Sequence, residues 1–181
     1  MELFSEQSEH IVALDNSPEM LRVARAKIDR IPAKNGTNID VMLGDFNALP
    51  LDDASFDTLI LHQVLHYAQN PKRVIEEASR VLADNGRLMI VDFAPHDLEE
   101  LRRNHAHARL GFSNDIIEQN MRKAGLHMAH QCELPNKRNQ SNDDAALTVS
   151  IWLGHKNTIK NSANGESSHA NNKVSKLKVV K

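Results

Sequence analysis

Cysteine is nearly absent: Cys132 is the single one in 181 residues. That excludes an internal disulfide framework and suits a reducing compartment. No apolar run approaches the roughly 18–20 residues that a bilayer span requires. The first ten residues carry Glu2, Glu6 and Glu9 and lack the basic-then-apolar order of a secretion signal. The cytoplasm is the expected location, with no membrane partner. Neither sign of charge dominates. A formal net charge of -2 supplies no bulk attraction to nucleic acid, and no direct nucleic-acid contact is expected. Internal repeats are also lacking. What remains, 40% apolar and 25% charged residues, is the balance of one ordinary globular domain with a core.

Short apolar runs alternate with helical patterns from Ile11 to about Lys156. Ile11-Val-Ala-Leu14 is an unbroken apolar run ending at Asp15, the pattern of a buried parallel strand. Ser17-Pro18 then offers an N-cap and a proline where a missing N–H costs nothing. Met20, Leu21, Val23, Ala24 and Ile28 follow at helical spacing, and Pro32 and Asn35-Gly36 close the unit. Ile39–Leu43 and Phe56–Leu61 read as the next strands. Asn70-Pro71 repeats the cap-plus-proline signal before a second amphipathic helix through Val74, Ile75, Ala78, Val81 and Leu82. Asn85-Gly86 turns the chain into the strand Leu88–Val91. Ser113 caps a further helix with Gly125 at its C′ position, and Leu126–Leu134 and Ala146–Leu153 close the sheet. This alternation predicts an α/β fold, a doubly wound and mostly parallel sheet with helices on both faces. Residues 157–181, rich in Asn, Ser and Lys, are expected to form a disordered polar and basic tail behind a domain at 1–156.

Ligands of open α/β sheets sit at the carboxyl ends of the strands, which directs attention to Asp15, Asp45, His62 and Asp92. Asp15 either accepts hydrogen bonds from a ribose diol or merely caps the next helix. In Gly44-Asp45-Phe46, the glycine permits close backbone approach, the carboxylate accepts from an exocyclic amine and the ring lies on a purine. The alternative is a turn aspartate beside a core phenylalanine.

Four segments in order, IVALDNSPEM (11–20), GDFNALP (44–50), SFDTLILHQVLH (55–66) and GRLMIVD (86–92), resemble the class I S-adenosylmethionine-dependent methyltransferases. The similarity is to the small-molecule branch that includes ubiquinone and menaquinone biosynthesis enzymes, and it covers roughly residues 1–153. DFAPH (92–96) and HAHARLGF (105–112) further resemble the methyltransferase halves of proteins that carry an ArsR-type winged helix. The resemblance implies a Rossmann-like fold, S-adenosylmethionine as cofactor and methyl transfer to a small-molecule acceptor. Asp15 would hold the ribose hydroxyls and Met20 would pack near the adenine. Asp45 would accept from the adenine amine, Phe46 would border the base and His62 would lie by the methionine part. His66 would continue toward the methyl-transfer mouth. The family's first strand and its glycine-rich loop have no match before Ile11. The resemblance therefore implies an N-terminally truncated domain, a fragment whose activity would be compromised. The missing strand lies centrally in the family's sheet, so its loss would leave the strands at Ile11 and Phe56 without a ladder partner.

Ten histidines raise the question of a metal. Gln63 stands where an HExxH motif needs glutamate, and His105 and His107 have no ligand partners at suitable spacing. No metal is expected. His105, His107 and Arg109 instead would face the substrate, where an imidazole serves as a general base near neutral pH. Two other functions compete: a non-catalytic ligand-sensing domain of an ArsR-type regulator, and an NAD-dependent oxidoreductase, which also uses an aspartate at the tip of a strand.

Overall fold

The computed structural model describes residues 8–29, 37–134, 147–157 and 176–180. Seven strands among them form one sheet in the order β2-β1-β7-β3-β4-β6-β5. These are β1 (His10–Asp15), β2 (Asn38–Leu43), β3 (Phe56–His62), β4 (Leu82–Phe93), β5 (Leu126–Leu134), β6 (Val149–Lys156) and β7 (Lys176–Val180). Neighbours from β2 through β4 pair in parallel. β6 runs antiparallel to both β4 and β5.

The helices begin where their caps dictate. Ser17 accepts the Met20 N–H at 3.3 Å and Pro18 opens α1 (Pro18–Ile28). Asn70 and Pro71 do the same for α2 (Pro71–Val81), with the Arg73 N–H at 3.3 Å. Ser113 caps α4 (Asn114–Lys123), and Gly125 follows with φ 76°. The short α3 (Glu99–Asn104) carries no apolar stripe, which hid it from periodicity.

Alternation along the strands sorts side chains into two layers. Val12, Leu14, Leu59, Leu61, Leu88 and Ile90 join α2, α4 and Trp152 in the main core. Ile11 and Ile60 form a smaller cluster with Ile39 and Met89. Polar ties align the helices above the sheet. The Ser79 hydroxyl donates to the Ala124 carbonyl at 2.7 Å, and Trp152 Nε1 donates to Asn114 Oδ1 at 2.7 Å.

Two expectations require correction. Asn85-Gly86 does not end one element and begin another: β4 runs through it, with an irregularity in register and Asn85 at φ 61°. More consequentially, the expected tail is not wholly without structure. Lys176–Val180 is a strand inserted between β1 and β3, pairing Ile11 with Leu177 and Leu61 with Val180. The slot expected to lack a partner is thus filled by a segment from the far end of the sequence. Each side of that slot offers a row of backbone donors and acceptors that are costly to bury unpaired. A short segment with two β-branched valines suffices to satisfy them. Expectations for Met1–Phe4, for Pro32 and Asn35-Gly36, for the loop 135–146 and for 158–175 lie outside the described residues.

Candidate active site

At the carboxyl ends of β1, β3 and β4 the chain surrounds a cavity of about 630 Å³. That volume lies within the usual range for small-molecule sites. β1 and the start of α1 contribute Asp15, Asn16, Ser17 and Met20; the loop after β2 contributes Phe46. The turn after β3 supplies Gln63, Val64, His66 and Tyr67, and the segments after β4 supply Phe93, Ala106 and His107. No lysine or arginine is among these residues.

Asp15 plays both parts that the sequence allows it. One oxygen accepts the Ser17 N–H at 2.8 Å, steadying the entry to α1, and the residue lines the cavity with a second oxygen's acceptor capacity. Gln63 and Ala106 reach the wall only by adopting φ 53° and 55°. Such conformations are uncommon for residues with a Cβ and collect at functional sites. Gln63 is held there by its N–H bond to the Val91 carbonyl at 2.7 Å. The loop bearing Phe46 is clipped to α2. Arg80 donates to the Leu51 and Leu49 carbonyls at 2.9 and 3.1 Å, and Glu77 accepts the Leu49 N–H at 2.9 Å. The Arg80 hydrogen bond holds the Glu77 carboxyl below its ordinary range.

The deepest polar feature is a histidine–aspartate pair. Asp92 is fully buried at the end of β4. Its Oδ2 accepts the Leu65 N–H at 2.9 Å, and its Oδ1 accepts the Phe93 N–H and meets His66 Nδ1, both at 2.8 Å. With Nδ1–H donated to the carboxylate, a neutral His66 carries its lone pair on Nε2. Around it stand Tyr67 (ring centroids 4.1 Å apart), His107 (4.2 Å) and Phe93 (5.0 Å). His107 Nδ1 and His96 Nε2 are buried without a hydrogen-bond partner. Burial pushes both rings below the ordinary histidine value, and repulsion from His66 adds to the effect at His107.

Of the residues singled out from sequence, the fold therefore gathers Asp15, Met20, Phe46, His66 and His107 around one cavity. It does not bring the others there. Asp45 is exposed and turned onto its own loop, Oδ1 accepting both the Asn47 N–H and its side-chain amide at 2.8 Å. A carboxylate satisfied so locally has little drive to reach the wall. His62 is half-buried at the tip of β3, outside the lining. His105 is exposed at the end of α3, and Arg109 is spent on the Gln69 carbonyl at 2.9 Å. Among the described residues no three acidic, histidine or cysteine side chains cluster as a metal-ligand set.

A family model described as a methyltransferase domain matches residues 1–90. Residues 1–90 belong to that methyltransferase domain family. The chain is 32% identical over 83 residues to the arsenite methyltransferase of Halobacterium salinarum, covering 46% of the chain and 20% of that protein. It is 30% identical over 96 residues to the demethylmenaquinone methyltransferase of Clavibacter sepedonicus, covering 53% and 37%. The chain thus spans a fifth to little more than a third of these relatives' lengths. A solved structure from Bacillus halodurans C-125 superposes with a TM-score of 0.72 over 87% of each chain at 19% identity, a likeness of fold. No helix of the described residues is long and apolar enough to cross a membrane.

Sequence reasoning weighed Asp92 only as the end of a strand and missed its contact with His66. The signal was faint: a buried apolar strand ending in aspartate, with no way to see which side chain it would meet. Tyr67, Phe93, Gln63 and Ala106 were not singled out as site residues, although the last three fall within the quoted motifs.

Proposed function

We propose that the domain binds S-adenosylmethionine in the cavity at the strand tips and transfers its methyl group to a small-molecule acceptor. The observation that carries this is the joint presence of Asp15, Met20 and Phe46 on one wall of a cavity of suitable size, within a methyltransferase domain. The donor set matches an adenosine. The Asp15 carboxylate accepts from the ribose hydroxyls, and Met20 and Phe46 offer polarisable faces to the base. Asp45 is left out of the assignment because its carboxylate serves its own turn. No glycine lines the cavity, so the match is to the adenosine half of the cofactor.

When bound, the cofactor supplies an electrophilic methyl group on a sulfonium centre. The chain's own work is to align an acceptor with that methyl group and keep water away, which accounts for much of the rate in an in-line displacement. Tyr67 and Phe93 present aromatic faces suited to a neighbouring cation. A wall without lysine or arginine disfavours a phosphorylated acceptor.

Isothermal titration of the full chain with S-adenosylmethionine tests the assignment. Asp15→Ala is expected to lower affinity by roughly 10- to 100-fold, the worth of charge-assisted hydrogen bonds from a ribose. Equal affinity in wild type and variant would remove Asp15 from the site.

A further inference from the structure

We infer that His66, held by Asp92, is a catalytic base that takes the proton from a phenolic or enolic hydroxyl on the acceptor. The inference rests on the methyl-transfer reading and names the acceptor class for that same cavity.

His66 is 2% exposed and lines the cavity, so a group that meets its Nε2 there is held out of bulk water. Asp92 fixes the ring through Nδ1 and is itself fixed by three backbone N–H groups, from Leu65, His66 and Phe93. A carboxylate at hydrogen-bond distance from Nδ1 stabilises the imidazolium that forms when Nε2 is protonated. Asp92 is thus a positioning residue. The titratable groups around the imidazole are Asp92 from β4, Tyr67 beside it, and His96 and His107 from the segments after β4.

The chemistry of the wall selects the acceptor. An amine attacks through a lone pair it already has and gains little from a base at this point. An aliphatic alcohol is too weak an acid for imidazole. A phenol or enol lies between, where general-base help is effective. A thiophilic acceptor would want thiolates, but Cys132 lies on β5 at the sheet edge, away from the cavity. His107, also buried and in the same lining, has an unpartnered Nδ1, and its ring lies 4.2 Å from that of His66. Phe93 stacks on His107 at 5.9 Å.

The step balances. The acceptor O–H breaks and its proton passes to His66 Nε2. The oxygen pair forms the new O–CH3 bond as the methyl–sulfur bond breaks, leaving its electrons on a neutral thioether. The proton later leaves from the imidazolium to solvent.

The test uses 4-nitrophenol, whose phenolate absorbs in the visible, at a pH where the free phenol is mostly protonated. Wild-type chain is expected to raise the phenolate band on binding. His66→Gln, which retains polarity but not basicity, is expected to bind the probe with roughly tenfold or more less of it ionised. Asp92→Asn should shift in the same direction, and circular dichroism spectra and melting curves report that both variants are folded. Binding of the probe only as neutral phenol, or an undiminished band in His66→Gln, overturns the assignment. Failure of wild type to bind S-adenosylmethionine would instead sink the methyl-transfer reading while leaving the phenolate result to be read separately.

Discussion

His107 shows how a single side chain couples the site to stability. Its ring is 8% exposed, its Nδ1 has no partner, and it and His96 both titrate below the ordinary 6.5 because burial strips water from the charged form. The unfolded chain therefore takes up protons on these rings at a higher pH than the folded chain. Stability from this source is fully present above 6.5 and is lost as pH falls through that value toward the lower folded pKa. Melting temperatures at about pH 7.5 and 5.5 should show the loss, and His107→Phe should flatten the dependence. A second residue-scale prediction concerns Gly111. It sits at φ 76°, and a Cβ there would lie 2.0 Å from the Ala94 carbonyl oxygen. Gly111→Ala is expected to cost about 2–4 kcal/mol, combining the left-handed penalty with overpacking; chemical denaturation measures it. Sequence made Asp15, Phe46 and His66 legible because each ends or follows an apolar run. Asp45 lies outside the lining because its carboxylate folds back on its own turn, which spacing cannot show.

Among elements, the caps and strand cores were the most readable, since Ser17-Pro18, Asn70-Pro71 and Ser113 act through neighbours in sequence. β7 was not readable. Lys176–Val180 is strand only because an open slot awaits it, and that is a tertiary fact with no local trace. Its role goes beyond filling. Adjacent strands lie about 4.8 Å apart, so β7 holds β1 and β3 at roughly twice that separation. The walls bearing Asp15 and Gln63 are thereby kept apart and the cavity between them open. Val179→Pro removes an N–H from the ladder and is expected to destabilise the fold by about 2–4 kcal/mol. Amide exchange should rise along β1 and β3 first, and S-adenosylmethionine should bind more weakly. Unchanged exchange in those two strands would show that the slot is held open by packing alone.

At the scale of the whole molecule, fold class was legible because strand–helix alternation admits few architectures. Among the described residues the sheet falls into two blocks, β2-β1 and β3-β4-β6-β5, whose strands are bridged by β7. On the ribosome, residues 10–156 emerge before 176–180, at about 5–20 residues per second. Until β7 pairs with them, the inner edges of β1 and β3 are each a template for a foreign β-segment. Closure of this sheet thus waits on the last of the described strands in chain order, a race between self-closure and capture by a neighbour.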